Sequence, residues 1–190
     1  MVRKRKYKKE KSKIYIFVEG ETEQKYFDFL RQKLRLANVK IKTVVLDNSG
    51  QNWVEKTKRL VQNDIHYRLD HSTQVYVVFD KDELSLKQVE QMRVAAYEND
   101  FELGFSNIAF EVWLLAHFEE LTTRGIAKAK LNRKLDRYLG QKYIKANSEQ
   151  LEIMVSRYDV AIINAQASID VDFKTPGTNI GTIINKIKSA

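Results

Sequence analysis

The sequence predicts an α/β fold in which a mostly parallel β-sheet is flanked by helices. Short apolar runs rich in β-branched and aromatic residues alternate with segments whose apolar residues recur at helical spacing. This alternation is typical of parallel strands joined by crossover helices. Of the 190 residues, 43% are hydrophobic, which is enough for one domain with a substantial core, with or without a helical appendage.

Four strands are predicted from the apolar runs. Residues 14–18 (IYIFV) and 75–79 (VYVVF) are predicted to be buried strands, and the second is wholly apolar, as expected of a central strand covered on both faces. Residues 41–46 (IKTVVL) are predicted to form another strand, and residues 101–105 a short fourth one.

Helical spacing of apolar residues predicts seven helices. They comprise one that begins near Glu21, others at 53–63, 84–98 and 108–118, a cationic helix beyond residue 124, and two more at 149–168 and 180–188. The helix at 108–118 is apolar on nearly every side, so it suits the core and a subunit interface equally well. The cationic helix should dock through an apolar stripe made of Leu131, Leu135, Tyr138 and Leu139. The helix at 149–168 should turn mostly inward through Ile153, Val155, Tyr158, Ala161, Ile162 and Ala165.

Positive charge is concentrated in two segments of the chain. The net charge is +8, yet residues 1–13 and residues 124–145 each carry eight basic residues against one acidic residue, or +7 apiece. The rest of the chain therefore carries a net charge of −6. An acidic body with two cationic segments suits a polyanion such as nucleic acid, held around an acidic centre. The alternative is that the basic segments, including a flexible tail at 1–13, aid solubility and bind nucleic acid non-specifically.

The residue content excludes several classes of site. The chain has no cysteine and only three scattered histidines, which argues against disulfides, thiolate sites and zinc. Any metal chemistry must use oxygen ligands. No apolar run approaches the roughly 18 residues of a membrane span, and the basic start lacks the apolar region of a secretory signal, so a soluble cytoplasmic protein without a membrane partner is expected.

Carboxylates follow two of the predicted strands. Glu19 ends the first strand, while Asp80 and Asp82 follow the third. Ligands of open α/β sheets collect at the carboxyl ends of strands, so these groups converge if the two strands are neighbours. Glu23 lies in the first turn of the following helix and can point back toward the same edge.

A cluster of acidic groups is costly unless a cation neutralises it, because like charges raise one another's pKa. A hard divalent ion resolves the conflict, and oxygen ligands favour Mg²⁺ or Mn²⁺. A structural explanation also exists for each motif alone. Acidic residues favour the first turn of a helix, and an Asp-x-Asp after a strand is often a turn or a helix cap.

Four sequence blocks resemble a known family. They are EGETEQKYF (19–27), VFDKDE (78–83), SNIAFEVWLLAHFEE (106–120) and PGTNI (176–180). Together they resemble the RloB family of bacterial abortive-infection proteins, over about residues 13–188. The acidic blocks alone also resemble the Toprim domain of primases, topoisomerases and OLD-type nucleases. One departure is Ile108, where the family pattern has proline after Asn107, and it affects only the start of that helix.

The resemblance implies a Toprim-like α/β core at 14–122, with a helical extension at 123–190 packed on it. It also implies an Mg²⁺ or Mn²⁺ site whose ligands are Glu19, Glu23, Asp80 and Asp82. Glu111 becomes a candidate for a further ligand or for a residue that supports the ligands, because an ionised carboxylate among apolar neighbours needs a partner. The alternative for Glu111 is a plain first-turn glutamate. His117, in the same helix, is predicted to be a hydrogen-bonded core residue.

The leading functional hypothesis is a Mg²⁺-dependent nuclease that cleaves DNA or RNA in phage defence. Glu19 is the candidate for proton transfer, and a lysine near the phosphate, Lys81, Lys128 or Lys130, would stabilise the transition state. A second enzyme hypothesis keeps this site but assigns it to strand transfer or primer synthesis, which we expect to require a separate tyrosine-bearing domain or a template-binding region. The other hypothesis is a non-catalytic module that binds nucleic acid or works with an ATPase. A homo-oligomer fits either hypothesis.

Overall fold

The computed structural model describes residues 12–36, 39–46, 52–67, 69–81, 84–122, 127–166 and 177–190. It has a five-stranded sheet in the order β2-β1-β3-β4-β5, in which the first four strands are parallel and β5 is antiparallel to β4. The strands are β1 (Ser12–Val18), β2 (Val39–Val45), β3 (Thr73–Asp80), β4 (Phe101–Asn107) and β5 (Gly177–Thr178). The predicted α/β fold with a mostly parallel sheet and a C-terminal helical extension is confirmed.

Eight α-helices and one short 3₁₀ helix, Ile65–Tyr67, are present in the described ranges. The α-helices are α1 (Glu21–Leu34), α2 (Trp53–Asn63), α3 (Leu86–Glu98), α4 (Glu111–Ala116), α5 (Lys128–Leu139), α6 (Ser148–Val155), α7 (Tyr158–Asn164) and α8 (Ile180–Ser189). The predicted starts of α1, α2 and α8 are confirmed. No helix in the described ranges has both the length and the apolar character needed to cross a membrane.

The sheet separates two apolar layers, because successive strand residues point to opposite faces. In β1, Ile14 and Ile16 pack with α1, α4 and the C-terminal helices, whereas Tyr15 and Phe17 pack with α2 and α3. The larger layer contains residues from both α1 and the helices beyond residue 127. The C-terminal helices therefore share a core with the sheet, while the division into units at 122/123 stays a prediction.

Helix α4 lies in the core of the chain. Its composition had allowed either the core or a subunit interface. Val112, Trp113 and Leu114 have no exposed surface. The predicted helix at 108–118 is too long, since β4 continues to Asn107 by pairing with β5 and the helix begins only at Glu111. The peptide bond between Asn107 and Ile108 is cis.

His117 is buried at the end of α4, and its predicted role as a core residue is confirmed. Its Nε2 lies 2.9 Å from the hydroxyl of Tyr26, and its Nδ1 lies 3.0 Å from the carbonyl oxygen of Trp113. Burial lowers the pKa of His117 from 6.5 to about 4. A neutral imidazole therefore joins α1 to α4.

The single helix predicted at 149–168 is wrong, because the chain forms α6 and α7 instead. The Ser156 hydroxyl donates a hydrogen bond of 2.6 Å to the carbonyl oxygen of Ile153, and local bonding of this kind competes with a continuous helix. Arg157 then leaves helical geometry, with φ −113° and ψ 20°. Ile153, which was predicted to face inward, is 49% exposed because the buried face of α6 is formed by Gln150, Leu151, Met154 and Val155.

Helix α5 docks largely as predicted. Leu131 and Leu135 are buried, but Tyr138 is 42% exposed. Its ring stacks on Phe118 with centroids 5.2 Å apart, and its hydroxyl donates to Glu119 at 2.7 Å. The Tyr138 ring thus covers the Phe118 side chain at the edge of the apolar stripe of α5.

Candidate functional site

The carboxyl ends of β1 and β3 lie side by side, as the hypothesis of a shared site requires. Val18 pairs with Val78, so the residues that follow each strand emerge at the same edge of the sheet. The backbone N–H of Asp80 donates to Glu19 Oε2 at 3.2 Å. The carboxylate of Glu19 is therefore held directly against the end of β3.

Glu23 reaches the same place from the first turn of α1. Its side chain is buried, and a Cβ atom on Gly20 would lie only 3.1 Å from Glu23 Oε2. Gly20 has an extended backbone (φ −141°), which any residue can adopt. A larger residue at this position would therefore press on the Glu23 carboxylate, which would have to move by a few tenths of an ångström. Glu21, in contrast, is exposed and pairs with Lys25 at 2.9 Å.

Glu111 is the first residue of α4 and is 3% exposed. Its Oε1 accepts a hydrogen bond from the Tyr143 hydroxyl at 3.5 Å and lies 3.7 Å from Lys145 Nζ. The predicted need of this carboxylate for a partner is therefore met by two residues of the C-terminal extension. Both partners come from the loop between α5 and α6.

Hydrogen bonds attach this loop, residues 140–147, to α1. The backbone N–H of Ala146 donates to Thr22 Oγ1 at 3.2 Å, and Lys25 Nζ donates to the carbonyl oxygen of Ala146 at 2.9 Å. Lys145 is the residue just before this attachment. The loop therefore brings a cation to the carboxylates, two of which, Glu19 and Glu23, are more than a hundred positions away.

A buried glutamine shapes the loop from within. Gln150 is 2% exposed; its Oε1 accepts from the Ile144 N–H at 2.9 Å and its Nε2 donates to the Lys142 carbonyl oxygen at 2.8 Å. These two bonds hold the backbone on both sides of Tyr143. Gln150 therefore positions the residues that contact Glu111.

We expect Gln150→Ala to lower the free energy of unfolding by about 1–3 kcal/mol, because two buried hydrogen bonds are lost. Urea unfolding measures this change. Glu152→Ala, at an exposed position of the same helix, is the control and should change stability little. Equal effects of the two variants would contradict the role given to Gln150.

The carboxylates raise one another's pKa. The pKa of Glu23 rises from 4.5 to about 7, chiefly through burial, with added repulsion from Glu19 and Glu111; a backbone N–H and Lys145 oppose the shift. Burial and repulsion from Glu23 raise the pKa of Asp80 well above its ordinary value. The site thus carries more acidic groups than it can ionise cheaply without added positive charge.

The carboxylates surround one cavity of about 410 Å³. It is lined by Glu19, Gly20, Glu21, Thr22, Glu23, Asp80, Phe110, Glu111, Lys128, Lys145 and Ala146. Of the three lysines considered from the sequence, only Lys128 lines it. Lys130 lies on a separate groove along α5, and Lys81 is not in the lining. Asp82, the fourth predicted ligand, lies outside the described residues.

The donor atoms fit a hard divalent cation. They are all carboxylate oxygens, and Asp80 Oδ1 is buried with no hydrogen-bond partner among the described residues. An unpartnered buried oxygen beside other carboxylates is a position that a cation would satisfy. Within the described ranges, however, no three acidic, histidine or cysteine side chains are already grouped as ligands of one ion.

Sequence reasoning missed Tyr143, Lys145 and Gln150. Lys145 was counted only as part of a basic segment, and no spacing signal singles it out from seven other cations there. Its place depends on tertiary docking of the loop on α1. The accumulation of charge at 124–145 was the one available signal, and it does point to the segment that supplies the cations.

Comparison with known proteins gives a match to one family model. A search of curated proteins and of solved structures finds no significant match. The family model for RloB-like protein matches residues 14–187, which covers the sheet, the cavity and the helices that close it. The chain therefore belongs to the RloB-like protein family.

Proposed function

We propose that the protein is a Mg²⁺-dependent nuclease that hydrolyses nucleic-acid phosphodiesters. The observation that carries the proposal is the unpartnered Asp80 Oδ1, buried beside Glu19 and Glu23 in a cavity that lysines border. Family membership supports a role in bacterial abortive infection, in the cytoplasm. The substrate is DNA or RNA.

The ion would be held by Glu19, Glu23 and Asp80, with Asp82 as a further ligand. Mg²⁺ or Mn²⁺, when bound, would lower the pKa of a water molecule and offset charge on the phosphate oxygens. Glu19 accepts the proton of the attacking water through a carboxylate oxygen. The water oxygen bonds to phosphorus as the bond from phosphorus to the leaving oxygen breaks, and the leaving oxygen takes a proton from solvent to become a hydroxyl group.

Cations of the C-terminal extension would bind the phosphate backbone. Lys128 and Lys145 border the cavity, and Lys130, Arg133 and Arg137 lie on the outer groove of α5, which begins at Lys128. A polyanion can therefore contact one continuous helix from the cavity outward. Binding through such contacts should weaken steeply as salt concentration rises.

The test is a cleavage assay with end-labelled single- and double-stranded DNA and RNA. We expect cleavage in Mg²⁺ or Mn²⁺ and none in EDTA. Intact substrates under all metal conditions, with the protein folded, would contradict the proposal for the protein acting alone.

We expect Lys145→Ala to lower kcat by about 10²-fold, because a cation beside the reacting phosphate stabilises transition-state charge. Lys142→Ala is the matched control, since Lys142 lies in the same loop but not in the cavity lining. It should change only the salt dependence of binding. Equal kcat values for the two variants would show that Lys145 takes no part in the reaction.

The second candidate function is a non-catalytic module that binds metal and works with a partner ATPase. Family membership favours it, because RloB-like proteins resemble partners of ATPases in phage defence. Thermal stabilisation by Mg²⁺ without cleavage, both with and without a candidate ATPase, would support this module over the nuclease. Cleavage that starts only when the ATPase is added would identify a nuclease that needs its partner.

A further inference from the structure

Helix α3 has a solvent-facing stripe on the side opposite its buried face. Val89, Met92 and Ala96 pack into the core. The outer stripe consists of Lys87, Gln91, Val94 and Glu98, which are all exposed. Their spacing of i, i+4, i+7 and i+11 keeps them in one line along the helix.

Large apolar side chains lie beside this stripe. Leu86 is 57% exposed, Val94 is 51% exposed and Tyr97 is 89% exposed. Val94 and Ala95 line a shallow groove on the same surface. Three exposed apolar residues lie on one helix of 13 residues. Burial of this surface against another apolar surface would be favourable.

The two charges at the ends of the stripe oppose the dipole of their own helix. Lys87 lies in the first turn and Glu98 is the last residue, whereas a helix favours acidic residues at its start and basic residues at its end. Neither side chain has an ion-pair partner in the described part of the chain. The described part of the monomer therefore gives no reason for their placement.

An antiparallel second copy of α3 would satisfy both charges. A two-fold axis midway between Gln91 and Val94 places Lys87 opposite Glu98 of the second copy, and Gln91 opposite Val94. The same axis brings Leu86 close to Tyr97 of the second copy. Each end charge would then also lie beside the favourable end of the other helix's dipole.

We propose that this α3 surface is a homodimer interface in which two copies of the chain pack α3 against α3 in antiparallel orientation. The stripe is self-complementary in charge, and the exposed apolar residues beside it, Leu86 and Tyr97, meet across the same axis, as a two-fold interface requires. A single helix pair buries less than about 1,200 Å² in total, so the dissociation constant should be on the order of 10 μM. The proposal does not depend on the nuclease function.

The test is sedimentation velocity of the full chain, freed of nucleic acid, at concentrations up to about 100 μM, well above the expected dissociation constant. We expect wild type to form dimers, and Lys87→Glu and Glu98→Lys each to raise the dissociation constant at least about tenfold, because like charges then face each other. Both changes suit the dipole of α3, so neither should unfold the protein, and circular dichroism checks this.

Mixing the two single variants gives the decisive result. In a heterodimer of Lys87→Glu with Glu98→Lys, both end contacts again join opposite charges, so the mixture should dimerise more tightly than either variant alone. The double variant should dimerise as well. A monomeric wild type, or single variants that dimerise as tightly as wild type, would overturn the proposal.

Discussion

Asp80→Asn should abolish cleavage while making the protein more stable in the absence of metal. We expect the rate to fall by at least about 10³-fold, equivalent to ~4 kcal/mol of transition-state stabilisation, because the substitution removes a charged ligand oxygen. Stability should rise because burial and repulsion from Glu23 disfavour the charged form of Asp80. An amide of the same shape carries no charge and can donate to neighbouring carboxylates.

Two measurements check this pair of effects: the single-turnover cleavage rate in Mg²⁺, and the melting temperature at pH 8 in EDTA. The control is Asp28→Asn, which removes an aspartate that pairs with Arg31 at 3.7 Å. It should leave both quantities close to wild type. If Asp80→Asn cleaves at the wild-type rate, Asp80 is not part of the reaction.

Glu23→Gln should change how stability depends on pH. The folded-state pKa of Glu23, about 7, is above its ordinary value of 4.5, so the folded protein binds this proton more tightly than the unfolded chain. The contribution of Glu23 to stability is therefore fully present below pH 4.5 and is lost as the pH rises to about 7. A shift of this size corresponds to about 3 kcal/mol as an upper value.

Urea unfolding from pH 4 to pH 8 in EDTA measures this loss. Wild type should lose stability relative to Glu23→Gln across that range, and Mg²⁺ at pH 8 should restore wild type alone, by about 2.7 kcal/mol at a hundred times its dissociation constant. Glu21→Gln is the control, because Glu21 occupies the same helical turn but is exposed. If the free energies of unfolding of wild type and Glu23→Gln change with pH in parallel, ionisation of Glu23 does not lower the stability of the folded protein.

The convergence of carboxylates could be predicted because it depends on short-range rules. Apolar runs gave the strands, and the parallel arrangement placed their carboxyl ends at one edge. Glu19 and Asp80 follow from that reasoning, and Glu23 follows from the start of α1. The predicted convergence also depended on the strand order, in which β1 and β3 are neighbours. The sequence alone did not establish this order.

The cationic half of the site could not be predicted in the same way. Lys145 reaches Glu111 through the attachment of Ala146 to α1, a contact between residues more than 120 positions apart. No periodic pattern encodes such a contact. The break at Ser156 was missed for a related reason, since a side-chain hydrogen bond ended a helix whose apolar spacing continued.

Two hydrogen bonds fasten the Ala146 backbone to the first helix, and the adjoining lysine and a nearby phenol touch the acid that opens α4. The charge balance of the acidic centre therefore depends on how the last third of the polypeptide packs against the first helix. Withdrawal of that portion would remove the Lys145 amine and the Tyr143 phenol from the acidic centre together.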